Sequence, residues 1–203
     1  MARIRWKSVV GGELLEAGKG ATTLDDLLDD CQAVYLWRRR IVAPRHVASN
    51  SHQLSQWLDR ALAVPYSLVG PSQITHYITS RGFAIGGGPL SVAKQVTLKP
   101  ISVDPSLRVM LGEYVASLSD FTPPLYVGET GNVRRRVREH MNGETQFSQT
   151  LQLEIGLGFS DVVLYYLNLG PSTDGEEDKH ASRTLLEAIA CRLTLAGNVR
   201  RIG

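Results

Sequence analysis

The residues from 126 to 140, YVGETGNVRRRVREH, decide the fold expected for this chain. They start as a short apolar run, Tyr126-Val127-Gly128, and lead through a polar turn into a segment with four arginines. Asn132 is a natural N-cap, because its side-chain oxygen can accept from the free N–H groups of a first helical turn. The stretch therefore predicts a strand followed directly by a basic helix, which ends at Asn142-Gly143.

A second run upstream resembles the first and supplies a partner strand. Gly112-Glu113-Tyr114 also holds a tyrosine two places from a glycine, and eleven residues (115–125) separate it from Tyr126. With residues 120–124 as the loop, 110–118 and 125–128 are predicted to pair as an antiparallel hairpin.

The rest of the C-terminal half completes a small α+β domain. Residues 161–169 are β-branched and aromatic, which predicts a buried central strand. A helix is expected over 182–196, with Gly197 as its C-terminal cap. The order β-β-α-β-α favours a three-stranded antiparallel sheet flanked by helices, over residues 110–203.

Residues 1–109 are predicted to form a mainly helical extension. Thr22 or Thr23 caps a helix expected to continue through Val34, and a second helix is expected from Ser51 to Leu62. Residues 92–101 favour a strand. The prolines and turn residues between 100 and 108 mark the expected boundary between the two regions.

Bulk composition limits the classes of protein to consider. The chain has 203 residues, 43% of them hydrophobic, and no apolar run approaches the length of a membrane span, so a cytoplasmic protein is expected. Cys31 and Cys191 lack metal-ligand spacing and are expected to be buried thiols. The net charge is only +2, but arginines cluster at 38–40 and 134–138. A locally basic face on a nearly neutral protein suits a polyanionic partner, although such faces are often only solvated.

Several polar residues could form one phosphodiester-cleaving site. Tyr114 and Tyr126 would lie on neighbouring strands, and Arg136 and His140, four residues apart, share a helix face. Glu187 lies in an apolar helical segment, where a carboxylate needs a partner or a cation. Each residue also has a structural interpretation: packing for the tyrosines, phosphate binding or an ion pair for Arg136, a helix-end role for His140, and a pair with Arg183 for Glu187.

Together, these residues and their spacing resemble the GIY-YIG nuclease family over residues 110–200. Its two tripeptides correspond to 112–114 and 126–128, and its arginine and histidine to Arg136 and His140. The resemblance implies that Tyr114 positions or deprotonates the attacking water and that Tyr126, Arg136 and His140 orient the phosphate. It further implies one Mg²⁺ or Mn²⁺ per active site, held by Glu187, and hydrogen-bond support from Asn198.

Within that family, a short chain with an N-terminal extension looks most like a type II restriction endonuclease. Such an enzyme cuts double-stranded DNA as a homodimer or homotetramer, since one site cuts one strand. The alternatives are a nuclease for branched, damaged or modified DNA or for RNA, and a non-catalytic nucleic-acid-binding module. The residues expected to contact DNA are the arginines of the basic segments: Arg38, Arg39, Arg40, Arg45, Arg134, Arg135 and Arg138.

Overall fold

The computed structural model describes residues 5–17, 22–44, 50–62, 73–75, 78–79, 90–172 and 177–194. It divides the chain into two compact units. The sheet unit comprises Met1–Arg39 and Thr122–Gly203, and the inserted unit comprises Arg40–Phe121. The inserted unit therefore interrupts the sheet unit in sequence.

The longer elements follow one another along the chain with short helical turns between some of them. In chain order they are β1 (Trp6–Val10), α1 (Gly11–Ala17), α2 (Leu24–Leu27), β2 (Cys31–Arg39), α3 (Ser51–Leu62), β3 (Gln73–Thr75), β4 (Ile78–Thr79), α4 (Val92–Val103), α5 (Pro105–Ser117), β5 (Tyr126–Thr130), α6 (Val133–Met141), α7 (Gln146–Gln149), β6 (Val162–Pro171) and α8 (Glu177–Thr194).

The sheet unit is built on a four-stranded sheet in the order β1-β6-β2-β5, with every neighbouring pair antiparallel. The expected α+β class is confirmed, but the sheet has four strands instead of the expected three. β6 and β5 lie where strands were predicted. β1 adds the fourth strand at the outer side of β6.

The strand next to β5 is β2, and the predicted hairpin partner at 110–118 is wrong. Residues 31–37 are all buried, and a continuous buried run is typical of a central strand flanked on both sides. The prediction of one helix through Val34 is also wrong, since α2 ends at Leu27. Residues 110–118 instead belong mostly to α5, where Asp104 caps the helix and Pro105 occupies its first turn.

Burial along α5 explains why this segment is helical. Its buried residues are Arg108, Gly112 and Val115, spaced four and three apart as one helix face requires. Residues 92–101, predicted as a strand, are also helical within α4. The expected helix from Ser51 to Leu62 is confirmed as α3, and it packs its apolar side against Val115.

This division differs from the boundary expected near residue 109. The N-terminal residues do not form a separate helical extension, because β1 and β2 are strands of the same sheet as β5 and β6. The segment around Asp104 and Pro105 joins α4 to α5 inside the inserted unit. None of the helices in the described parts of the chain is both long enough and apolar enough to cross a membrane.

Candidate active site

Tyr35 is the central residue of a polar cluster on one face of the sheet. It lies in the middle of β2, paired with Gly128 on β5 and with Tyr166 on β6. Its side chain is 0% exposed. The Tyr35 hydroxyl lies 2.9 Å from His140 Nε2 and accepts a hydrogen bond of 3.3 Å from Arg136 Nε. The structure therefore joins the central strand to α6 through this hydroxyl.

Tyr126 lies on the same face of the sheet as Tyr35. Alternate residues of a strand share a face, and the register sets Tyr126 opposite Trp37, two residues after Tyr35. The Tyr126 ring lies 6.0 Å from the Tyr35 ring and 5.7 Å from the His140 ring, centroid to centroid. Because Tyr126 is only half-buried, it forms part of the accessible side of the cluster.

Gly128 makes room for both tyrosines. A Cβ atom added to it would lie 2.7 Å from Tyr126 Cε1, 2.7 Å from the Tyr35 hydroxyl and 2.8 Å from Tyr35 Cζ. Real Cβ contacts are not this short, so a side chain at this position would displace the cluster. The glycine of the Tyr126-Val127-Gly128 run thus has a packing role that the sequence alone did not reveal.

Arg136 provides the positive charge of the cluster. Its Nη1 donates to Glu139 at 2.8 Å, and 35% of its side chain is exposed. Burial lowers the pKa of Arg136, but the hydrogen bond to Glu139 and the nearby Tyr35 hydroxyl outweigh it, so the pKa is raised. The guanidinium is therefore always charged and is partly open to an anion from solvent.

His140 is an uncharged group at the centre of the cluster. It is 0% exposed, and its Nδ1 lies 2.6 Å from Thr145 Oγ1. Burial, with a smaller contribution from the Arg136 charge, lowers the pKa of His140 to about 3. Burial also raises the pKa of Tyr35 well above its ordinary value, although Arg136 opposes this. At neutral pH the pair consists of a neutral imidazole and a protonated phenol.

The neutral His140 makes the stability of the fold sensitive to acid. The unfolded chain takes up a proton near the ordinary value of 6.5, whereas folded His140 has a pKa of about 3. Stability from this residue is complete above pH 6.5 and falls as the pH drops towards 3. Between pH 7 and pH 5 we expect the free energy of unfolding to fall by about 2 kcal/mol from His140 alone.

Urea unfolding at pH 7, 6 and 5 measures this loss in the parent and in His140→Gln. The variant removes the titrating group, so its stability should change less over the same range. Hydrogen bonds donated by Thr23 lower the pKa of Asp26, and one donated by Lys7 lowers the pKa of Asp29, so these two carboxyl groups affect stability at lower pH than His140 does. Equal acid sensitivity in the two proteins would show that His140 is not held neutral.

The structure brings together three of the residues predicted for the site, and Tyr114 belongs to the other unit. Tyr126, Arg136 and His140 meet around Tyr35, which the sequence interpretation missed. Tyr114 is not on a strand: it lies on α5 in the inserted unit and is 61% exposed. The signal for Tyr35 was present in Ala33-Val34-Tyr35, a small residue, an apolar residue and a tyrosine within a β-rich run.

Glu187 lies on α8, half-buried. One turn earlier, Arg183 donates to Glu129 at 2.8 Å and to Gln32. The side chains of Glu129 and Gln32 point to the face of the sheet opposite the one that carries Tyr35 and Tyr126. α8 therefore packs on the other face of the sheet from α6. Since β5 is an edge strand, the two helices flank the same edge from opposite faces. Asn198 lies outside the described residues.

The arginines expected to contact DNA have different surroundings. Arg134 is occupied, since it pairs with Asp25 at 3.1 Å and donates to the Leu28 carbonyl at 2.9 Å. Arg135 and Arg138 are exposed on α6. Arg38 and Arg39, at the end of β2, are half-buried, and Arg40 is exposed. Arg45 lies outside the described residues.

Comparison with known proteins adds nothing to this description. No family model matches the sequence, and neither a curated protein nor a solved structure shows significant similarity to it. The function of the cluster therefore has to be argued from its own geometry and from the resemblance carried by its motifs.

Proposed function

We propose that this protein is a metal-dependent endonuclease that hydrolyses phosphodiester bonds of double-stranded DNA. The observation that supports it is the convergence of Tyr35, Tyr126, Arg136 and His140 on one face of the sheet. In the resemblance to GIY-YIG nucleases, Tyr35 takes the place that the sequence interpretation gave to Tyr114. Tyr35, the last residue of Ala33-Val34-Tyr35, then pairs with Gly128, the last residue of Tyr126-Val127-Gly128, across two adjacent antiparallel strands.

The cluster has a cation and a hydrogen-bond donor of the kind that a phosphodiester hydrolase uses at the phosphate. Charge develops on the phosphate oxygens during attack, and a fixed cation next to them lowers the barrier. Arg136 supplies this cation, since it is charged, partly exposed and held by Glu139. The half-buried Tyr126 beside it can donate a hydrogen bond to the same phosphate.

Proton removal from the attacking water falls to the Tyr35–His140 pair in this proposal. The neutral imidazole lies 2.9 Å from the Tyr35 hydroxyl, but its pKa of about 3 makes it a weak base, so the transfer would depend on the negative charge of the bound phosphate to stabilise the imidazolium. As Tyr35 takes a proton from water, its own proton passes to His140, so neither group has to ionise alone beforehand. Because both residues are fully buried, water would reach Tyr35 only when substrate engages Tyr126 and Arg136 at the accessible side.

The metal of this proposal would be held by Glu187, which α8 carries on the opposite face of the sheet from Arg136, so the ion would have to lie at the β5 edge that both helices flank. Mg²⁺ commonly binds through one or two carboxylates and keeps several waters, so a single half-buried acid near the edge strand fits it. The described residues contain no group of three or more His, Cys, Asp or Glu able to form an all-protein metal cage. When bound, the ion would supply Lewis acidity to the phosphate.

The exposed arginines of α6 would place the DNA. Arg135 and Arg138 flank Arg136 on a helix that presents its basic side to solvent, and contacts of this kind position a duplex through its phosphates. The chain as a whole is nearly neutral, so attraction to DNA would be local to this surface. We further propose a sequence-specific enzyme of the type II restriction kind, which would need two copies to cut both strands.

A cleavage assay tests the proposed function directly. Supercoiled plasmid and linear phage DNA are incubated with the protein in Mg²⁺, in Mn²⁺ or in a chelator. We expect discrete fragments that require metal. Arg136→Ala should lower kcat by at least ~100-fold, and Glu187→Ala should abolish metal-dependent cutting. Arg138→Ala is the matched control: it removes an exposed arginine of the same helix and should mainly raise KM, whereas Arg135 shares Glu139 with Arg136.

The pattern of products separates the alternatives. Nicking or smearing that is lost in Arg136→Ala would keep the nuclease and exclude the restriction enzyme. Cutting confined to branched or modified DNA would identify a structure- or modification-specific nuclease. DNA binding with no cutting of any substrate would favour the non-catalytic module, and cutting that survives Arg136→Ala would exclude this active site.

A further inference from the structure

We propose that Thr145 is a positioning residue, whose hydroxyl holds His140 in the tautomer that carries its hydrogen on Nδ1. In this tautomer His140 Nε2 is free to accept the hydrogen of Tyr35. The catalytic consequence rests on the proposed function, but the tautomer itself does not. One buried chain of hydrogen bonds, from Ser148 through Thr145 and His140 to Tyr35, determines where each hydrogen lies.

The chain begins at the N-terminus of α7, where Thr145 and Ser148 form a reciprocal cap. Thr145 Oγ1 accepts from the Ser148 N–H, and Ser148 Oγ accepts from the Thr145 N–H, both at 3.3 Å. The two hydroxyl oxygens lie 2.8 Å apart. Both side chains are buried, so water has little access to these hydrogen bonds.

Ser148 has only one hydroxyl hydrogen, and the shorter of its two contacts is to the Thr145 carbonyl, which can only accept. Ser148 Oγ donates to this carbonyl oxygen at 2.7 Å. When Ser148 donates to the carbonyl, the hydrogen between the two hydroxyl oxygens comes from Thr145. Once Thr145 donates to Ser148, its oxygen has no hydrogen left for His140, which lies 2.6 Å away.

The contact between Thr145 and His140 then has one direction. Thr145 Oγ1 must accept, so His140 Nδ1 must carry a hydrogen. Because His140 is neutral, its Nε2 is bare and accepts from the Tyr35 hydroxyl at 2.9 Å. The Tyr35 oxygen in turn accepts from Arg136 Nε at 3.3 Å. In this assignment every hydrogen of the chain is used once.

The other tautomer loses one hydrogen bond of the cap and reverses the hydrogen bond between His140 and Tyr35. If Nε2 carried the hydrogen, Thr145 would have to donate to Nδ1, and Ser148 would have to give up either the Thr145 carbonyl or the Thr145 hydroxyl. The Tyr35 oxygen would then face two N–H groups, from His140 and Arg136, and could no longer pass its hydrogen to the imidazole. A cap of a four-residue helix thus determines whether Tyr35 can act as a proton donor to His140.

Nitrogen-15 NMR of the histidine rings reads the tautomer without DNA or metal. The protein is labelled with ¹⁵N-histidine, and His140→Gln identifies the signals of residue 140. The parent and Thr145→Ser, which keeps the hydroxyl, should show a protonated Nδ1 and a bare Nε2. Thr145→Val, which keeps the shape but not the hydroxyl, should move towards the Nε2–H form. Its kcat should fall ~10- to 100-fold with little change in KM.

A second variant, Ser148→Ala, tests the same hydrogen-bond assignment if Thr145→Val does not fold. Ser148→Ala removes the acceptor of the Thr145 hydrogen, which becomes available to His140 Nδ1, so a mixture of tautomers is expected. A parent signal with Nε2–H, or an unchanged tautomer in both folded variants, would overturn the proposal. The expected tautomer pattern in a protein that cleaves no DNA would support the hydrogen-bond assignment and exclude only the proposed function.

Discussion

Tyr35→Phe is expected to lower DNA cleavage by roughly 10²- to 10⁴-fold, the usual contribution of a group that transfers a proton, whereas Tyr114→Phe should cleave like the parent. The substitution removes only the oxygen that connects His140 to Arg136 and keeps the ring. Tyr114 lies exposed on α5, so losing its hydroxyl should disturb no part of the cluster. Steady-state cleavage rates of the variants measure the difference.

Tyr166→Phe is the matched control for loss of a buried tyrosine hydroxyl. Tyr166 is paired with Tyr35 on the neighbouring strand, but its hydroxyl accepts from the Asp29 N–H, at 3.4 Å, away from His140. We expect Tyr166→Phe to change stability slightly and to leave kcat unchanged. Loss of activity in Tyr114→Phe with full activity in Tyr35→Phe would restore the assignment made from sequence and contradict the structural one.

Gly128→Ala is expected to reduce both stability and cleavage, because one methyl group occupies the space of two tyrosines. The new Cβ would lie 2.7 Å from the Tyr35 hydroxyl, and Tyr35 cannot retreat from it without leaving His140. Overpacking of this kind costs about 1–3 kcal/mol. Displacement of the Tyr35 hydroxyl should also lower kcat by roughly 10²-fold or more. Urea unfolding and cleavage rates measure the two effects.

Two further variants check that the effect is steric. Gly12→Ala adds the same methyl group at a helical glycine with nothing within 4 Å of the new Cβ, and it should be neutral or raise stability by up to about 1 kcal/mol. In Gly128→Ala combined with Tyr35→Phe, one of the close contacts is gone, so the double variant should lose less stability than the sum of the single variants. Additive losses would mean that Gly128 acts through the backbone alone.

Local signals in the sequence predicted the part of the site that is contiguous in the chain. Asn132 caps α6, where its side chain accepts from the Arg135 N–H at 2.9 Å. The spacing of Arg136 and His140 follows from the helical period, so their common face was predictable. The turn from Tyr126-Val127-Gly128 into this helix was equally local. These elements needed no information about distant residues.

The partner of β5 could not be found in the same way. Tyr35 and Gly128 are neighbours in the sheet, but the whole inserted unit separates them in the chain. Strand pairing is decided by burial on both faces and by register, neither of which the spacing of tyrosine and glycine encodes. Gly112-Glu113-Tyr114 matches the expected spacing of glycine and tyrosine. The buried residues around it, Arg108, Gly112 and Val115, are spaced as on one face of a helix.

The position of the inserted unit also has a consequence for how the protein folds and varies. Leu125 N donates to the Trp37 carbonyl at 2.7 Å, so the two ends of the insertion leave the sheet side by side. Pairing β2 with β5 closes a large loop, which slows folding because distant segments have to meet first. The equilibrium cost of closure rises only with the logarithm of loop length, by about 0.6 kcal/mol for each doubling. Lineages of such proteins could therefore lengthen, shorten or exchange the insertion with little thermodynamic penalty to the strands that carry Tyr35 and Tyr126.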